Sequence, residues 1–208
     1  AIRPFLGHAD PEARAAALRA LAFRRDRASL PAFVDALDDE EPSSRAAGAE
    51  GIGALRAWDE ATRLVALIGD REVTVRRSAM DALVAVGRRD LGAEVSRLLG
   101  STEAPTRLAA AQALGVLGDR AACDSLAARA GDSIEAVRLD VARSLLLLGD
   151  ARGVRALIGL LGSEQEWIRR AAIEALVEAT GEDHGYSASA DAARRAESIA
   201  RWGKWWKE

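Results

Sequence analysis

The chain is poor in the residues that most chemistry requires. Its 208 residues include one cysteine, Cys123, and two histidines, His8 and His184. A single thiol excludes an internal disulfide and any multi-cysteine metal site. The two histidines stand near opposite ends, with no Cys or His at ligand spacing, so neither a metal nor a catalytic residue is expected. No GxGxxG or GKS/GKT loop occurs, and no cofactor is expected. Cys123 shares a repeat column with Leu30, Ala61 and Val154, which makes it a small hydrophobe of the core. Lysine is confined to Lys204 and Lys207, and aromatics are 4% of the chain. No apolar run reaches the ~18 residues of a membrane-spanning helix, so no membrane insertion is expected. Alternating Val/Ile/Thr runs, the mark of strands, are also missing. Net charge is -3, which gives the whole chain no strong drive toward nucleic acid.

What is present is a repeat. Arg14, Arg45, Arg76, Arg107, Arg138 and Arg169 follow one another at intervals of 31. Leu21, Ile52, Leu83, Leu114, Leu145 and Leu176 keep the same interval, as do Ala17, Gly48, Ala79, Ala110, Val141 and Ala172. Phe33, Leu64, Val95, Leu126 and Leu157 form a later column. Each unit reads as two helices. The first are predicted over 11–24, 42–56, 73–87, 104–117, 135–148 and 166–179, with apolar residues at three- and four-residue spacing. The second are predicted over 28–37, 60–68, 91–99, 121–130 and 152–161. Gly87, Gly118 and Gly149 suit the ends of first helices, and Asp90, Asp119 and Asp150 suit N-caps of the second. Pro11 and Pro42 fall where a first helical turn tolerates proline. Small-residue columns let neighbouring backbones approach closely.

A helix pair of this size cannot bury its apolar stripe alone, so stacked pairs are required. The segments "DREVTVRRSAMDALVAVG" and "GDSIEAVRLDVARSLLLLGDARGVRALIGLLG" resemble HEAT-like repeats of the bilin lyase type, through Val75–Arg76, Val137–Arg138, the small residues after them and the "LGD" turn. The resemblance covers about 5–180. It implies an all-α, right-handed α-solenoid of about six helix pairs, with 1–180 as the solenoid and 181–208 as a loop and capping helix of the same domain. Such families hold scaffolds, lyase subunits and nucleic-acid enzymes, so fold alone does not name a function. The repeated arginines could form an anion-binding ladder. The structural reading pairs each with an acidic turn such as Asp39, Asp70 or Asp132, and it is preferred because the arginine belongs to the repeat itself.

The tail "RWGKWWKE" concentrates indoles in a chain otherwise short of them. Ile199, Trp202 and Trp206 lie at i, i+3 and i+7 on a helix expected over 190–206, with Ala192, Ala196 and Ala200 extending a small face. An array of repeats needs an atypical end unit. The tail therefore reads as a cap, with Trp202 and Trp206 mostly buried, and a binding patch is the alternative. Thr180, Gly181, Asp183, Gly185, Tyr186, Trp202, Trp205 and Trp206 also resemble the tail of many bacterial HEAT-repeat proteins, in which His184 stands at a position usually held by Phe. The sequence carries no signal for a compartment, and the expectation is a soluble protein of a bacterial cytoplasm or periplasm. "AIRPFLGHAD" lacks a comparable cap, and a fragment of a longer solenoid is the expectation.

Charge divides by turn. Turns inside units, at 24–28, 55–59, 86–90, 117–121 and 148–152, total +3, and turns between units, at 38–41, 69–72, 100–103, 131–135 and 162–166, total -10. Acidic helix N-termini account for this through the helix dipole, and an acidic rim that docks a basic partner is the other reading. Second helices usually line the concave face of such solenoids, and their outward columns give Asp35, Arg63, Glu94, Arg97, Asp124, Ser125 and Arg155. This mixture of signs over small residues suits a protein or peptide better than a phosphate backbone. The expected function is a non-catalytic scaffold module that binds protein or peptide, with no nucleic acid. An enzyme or enzyme subunit of bilin lyase or alkylpurine DNA glycosylase kind, or a plain spacer, are the alternatives.

Overall fold

The computed structural model describes residues 2–207, and no strand occurs among them. The first helices are α1 (Pro11–Phe23), α3 (Pro42–Leu55), α5 (Val73–Val86), α7 (Ala104–Leu117), α9 (Glu135–Leu147) and α11 (Glu166–Thr180). The second are α2 (Leu30–Ala36), α4 (Ala61–Leu67), α6 (Gly92–Leu98), α8 (Cys123–Ala127) and α10 (Arg152–Leu160), and α12 (Ala192–Trp205) ends the series. α2, α4, α6 and α8 each follow a short 3-10 turn. Their α-helical portions therefore begin one to two residues later than the sequence suggests. By contacts the chain divides into two compact units, Ala1–Ala113 and Leu114–Glu208, with the boundary inside α7.

In the first unit, helix ends follow sequence punctuation. Pro11 and Pro42 open α1 and α3 at the positions where no amide partner is lost. Asp10 caps α1, its carboxylate accepting from the Glu12 amide at 3.0 Å. Gly87 ends α5 in the left-handed region at φ 83°. Arg25 and Arg56 hold the equivalent positions after α1 and α3, also left-handed, at φ 51° and 48°. Phe33, Ile52, Leu64, Leu83 and Val95 are buried between the paired helices. The glycines of α3 fit the close approach. A Cβ on Gly51 would lie 2.2 Å from the Phe33 ring, and one on Gly53 would lie 2.8 Å from the Ala82 Cα. Asp90 does not cap: its carboxylate is held by Arg88, and it lies inside the 3-10 turn rather than before it.

In the second unit, Gly118 and Gly149 take left-handed turns. Asp119 then caps the 3-10 turn that leads into α8, accepting from the Ala121 amide at 3.0 Å, while Asp150 accepts from the Arg152 amide at 2.9 Å from one residue ahead of the α10 N-cap, Ala151. Leu126, Leu145, Leu157, Leu161 and Leu176 are buried, while Ala130 is only half-buried.

The end of this unit is built residue by residue. The Thr180 hydroxyl bonds back to the Leu176 carbonyl at 2.7 Å, and Gly181 closes α11 at φ 76°. Asp183 accepts from the Gly185 amide at 2.7 Å, and Gly185 turns the chain at φ 67°. Tyr186 is thereby buried, and its hydroxyl donates to the Leu161 carbonyl. Asp191 caps α12 through the Arg194 amide at 2.9 Å. Trp202 is fully buried against a cluster that includes Leu157, Leu161, Ile168 and Leu176. His184 fills the place expected of a Phe: its ring meets Trp202 edge to face, 4.5 Å between centroids.

Two expectations for the tail need correction. Trp206 is half-buried, because α12 stops at Trp205 and the next residue falls at the edge of the contact. Ala192, Ala196 and Ala200 are exposed, since they lie on the side of α12 opposite Ser198 and Trp202.

Candidate functional site

The arginine column is spent on structure. Each Nη1 donates to backbone carbonyls of the turn before its own helix: His8 and Ala9 for Arg14, Asp39 and Glu40 for Arg45, Asp70 and Arg71 for Arg76. Arg107, Arg138 and Arg169 repeat the pattern. The guanidinium also reaches forward. Arg14 binds Asp39 at 3.1 Å and Arg45 binds Asp70 at 2.8 Å, each the carboxylate of the following unit. In the sixth unit, where the loop at 181–190 comes next, Arg169 Nε donates instead to the Ala188 carbonyl at 2.9 Å. These groups are not available to an anion. Asp39 and Asp70 show the same engagement from the other side. Burial would raise both carboxyls, yet the guanidinium and amide hydrogen bonds hold them below their ordinary value.

The seven outward residues of the second helices divide between the two units. In the first unit Asp35, Arg63 and Arg97 are exposed. Arg63 pairs with Glu60 at 3.2 Å, within one helical turn. Glu94 is half-buried, and its Oε2 is enclosed without a hydrogen-bond partner. In the second unit Asp124, Ser125 and Arg155 are exposed.

The geometry there is more specific. A shallow hollow of about 460 Å³ lies along α8 and α10, with Ala127, Ala130, Ala156 and Gly159 as a small-residue floor and Arg138, Arg152 and Arg155 at its margin. Arg152 is gripped by Asp150 at 2.6 Å and Asp124 at 2.8 Å. Its hydrogen bonds pull the Asp150 carboxyl down to about 2. The Asp124 side chain is otherwise 94% exposed. Sequence reasoning placed Asp124 and Arg155 on this face but missed Arg138 and Arg152. Arg138 sits on a first helix, and Arg152 reads only as the residue after a cap.

Other chemistry is muted. Cys123 is buried, which pushes its thiol up and away from the thiolate that nucleophilic attack requires. No group of three or more His, Cys, Asp or Glu suited to a metal occurs among the described residues. No helix among them is long and apolar enough to cross a membrane.

Residues 1–84 and 60–145 each match the family described as HEAT repeats. No curated protein sequence matches. Solved structures do. YibA of Escherichia coli is 17% identical over 84% of this chain and 68% of its own, with a TM-score of 0.59. The complex of CpcE and CpcF of phycocyanin lyase from Nostoc sp. is 19% identical over 97% of this chain and 93% of that one, at 0.58. An engineered protein is 18% identical over 87% and 98%, at 0.54. At such identities the likeness is one of fold. With stacked 31-residue helix pairs, an arginine that staples each pair to its turn and a matching family over most of its length, the chain belongs to the HEAT-repeat family.

Proposed function

We propose that the protein is a binding module that takes a protein or peptide segment on the face of its second helices. The observation that carries this reading is the hollow along α8 and α10. A floor of Ala127, Ala130, Ala156 and Gly159 leaves room for side chains of a partner, and Arg155 stands exposed beside it. Arg152, already fixed by two carboxylates, gives the margin a rigid shape. Within each unit the second helices also carry exposed polar residues of both signs: Asp35, Arg63 and Arg97 in the first, Asp124 and Ser125 in the second. Such a surface favours selectivity by charge pattern over general affinity for polyanions, and duplex DNA is not an expected partner.

The test is selection of peptides from a random library on the full chain, followed by affinity measurement on variants. Arg155→Glu and Gly159→Leu should each weaken the selected peptides about tenfold, as loss of one good interfacial contact would. Unchanged affinity in both variants would remove the function from this face. The end-to-end coverage shared with the phycocyanin lyase complex favours one further reading, a subunit of a heteromeric enzyme. A visible absorption band in the protein purified from its own source would support that reading.

A further inference from the structure

A second surface lies at the turn end of the first unit, away from the second-helix face. In the second unit the turns inside repeats run Gly118–Asp119–Arg120 and Gly149–Asp150, with glycine in the left-handed position and each Asp accepting from the amide two residues on. The first unit departs from that pattern by gaining arginine: its turns read Arg24–Arg25–Asp26–Arg27, Arg56–Ala57–Trp58 and Gly87–Arg88–Arg89–Asp90, with arginine in the glycine column of the first two and in the Asp column of the third. Arg25 and Arg56 occupy the left-handed position that glycine fills elsewhere, at a conformational cost. Arg24, Arg25, Arg27, Arg56 and Arg89 are all exposed.

The acids of these turns are mostly committed. Asp26 is held by Arg3 at 2.7 Å and Asp90 by Arg88 at 2.7 Å, leaving Asp59 open. Two aromatics stand among the cations. Phe23 is 92% exposed at the end of α1, and Trp58 is 53% exposed with the Arg88 guanidinium 4.7 Å over its ring. Helix dipoles explain Arg24 and Arg25 at the end of α1, but not Arg27 and Arg89. Those two begin 3-10 turns, the end at which a cation is disfavoured.

We propose that this turn end, where Phe23 and Trp58 stand among Arg24, Arg25, Arg27, Arg56 and Arg89, docks an extended acidic peptide segment that carries apolar side chains. Arg27, Trp58 and Arg89 occupy one repeat column and so recur once per helix pair. Packed helices lie about 8–10 Å apart. Extended chain advances about 3.3 Å per residue. One side chain in three would then meet each turn. Carboxylates pair with guanidinium forks, and the interspersed apolar groups cover Phe23 and the open part of Trp58. Arginine at two strained positions is then retained for binding at the expense of stability.

The probe is a fluorescein-labelled peptide of about ten residues, mostly Glu, with Phe at every third position. Its binding to the full chain is followed by anisotropy at about 0.15 M salt, beside a Lys/Phe peptide and a single-stranded oligothymidine. Micromolar binding of the acidic peptide alone, weakened about tenfold in Arg27→Glu/Arg89→Glu and in Arg25→Gly/Arg56→Gly, is expected. The glycine variant should melt no lower than the parent, which separates lost binding from lost fold. The proposal fails if the acidic peptide does not bind, or binds both variants as well as the parent. It also fails if Arg63→Glu/Arg97→Glu abolishes the binding instead, which would assign the peptide to the second-helix face. Tighter binding of oligothymidine, lost in the same variants, would make the patch a nucleic-acid surface and overturn the peptide.

Discussion

Arg56 sits in a backbone conformation that three later repeats give to glycine. A non-glycine residue there costs of order 1 kcal/mol. Arg56→Gly should therefore raise stability, by about 0.5 kcal/mol once glycine's greater unfolded-state freedom is subtracted. Thermal unfolding of the single variant checks the sign. Gly51→Ala should do the opposite. Its Cβ would lie 2.2 Å from the Phe33 ring, and overpacking of this kind costs about 1–3 kcal/mol. Asp70 and Arg45 are both nearly buried, so Asp70→Asn, which keeps the shape and loses the charge, should cost about 1–3 kcal/mol. The pH dependence has the matching sign. Asp39, Asp70 and Asp150 are held below the ordinary 3.8, Asp150 to about 2. Their contribution is complete above about pH 4 and is lost as pH falls through the folded values. Melting temperature should drop between about pH 4 and pH 2, and Asp70→Asn should flatten that drop. An equal slope in parent and variant would detach this pair from acid unfolding.

At the scale of the element, the cap is the sharpest case. Trp202 is fully buried, whereas Trp206 is half-buried at the frayed end of α12. Trp202→Ala should cost about 3–5 kcal/mol, and Trp206→Ala about 1 kcal/mol, measured by denaturant unfolding. Equal losses would mean that both indoles share one packed site. Helices were legible in the sequence wherever punctuation was local: Pro11, Pro42, Gly87, Gly118 and Gly149 mark their ends by backbone chemistry alone. Burial was legible in the 31-residue columns, because stacking gives each column one environment. Three things were not legible. The 3-10 entries to the second helices carry no residue signal. Asp39 and Asp70 read as partners of the arginine column, but nothing local shows that each is claimed by the arginine of the preceding repeat, Arg14 and Arg45, 25 residues away. Asp90 reads as a cap by its place just before the second helix, but the 31-residue column of Asp119 and Asp150 holds Arg88 there, and Arg88 claims the Asp90 carboxylate. On the candidate face, exposure of Asp124 and Arg155 followed from the helical period, but the bridge from Arg152 to Asp124 is a tertiary contact between helices and has no local trace.

At the scale of the molecule, repeat arrays respond to damage locally, since each repeat contacts only its neighbours. Trp202→Ala should therefore raise amide exchange in α10 and α11 while leaving α1 and α3 near their parental protection. Uniform loss of protection from end to end would show a cooperative unit larger than the repeat. The loop at 181–190 carries a different consequence. Ala188 gives Arg169 the acceptor that a following turn would have supplied, and Trp202 covers the apolar face that a following helix pair would have covered. An uncovered face of this kind is complementary to the opposite edge of the same repeat. Contacts of that head-to-tail type form rings where the rotation closes and open filaments where it does not. The ten-residue loop and α12 thus occupy, from within the same polypeptide, the face on which a further helix pair, its own or another copy's, would otherwise stack.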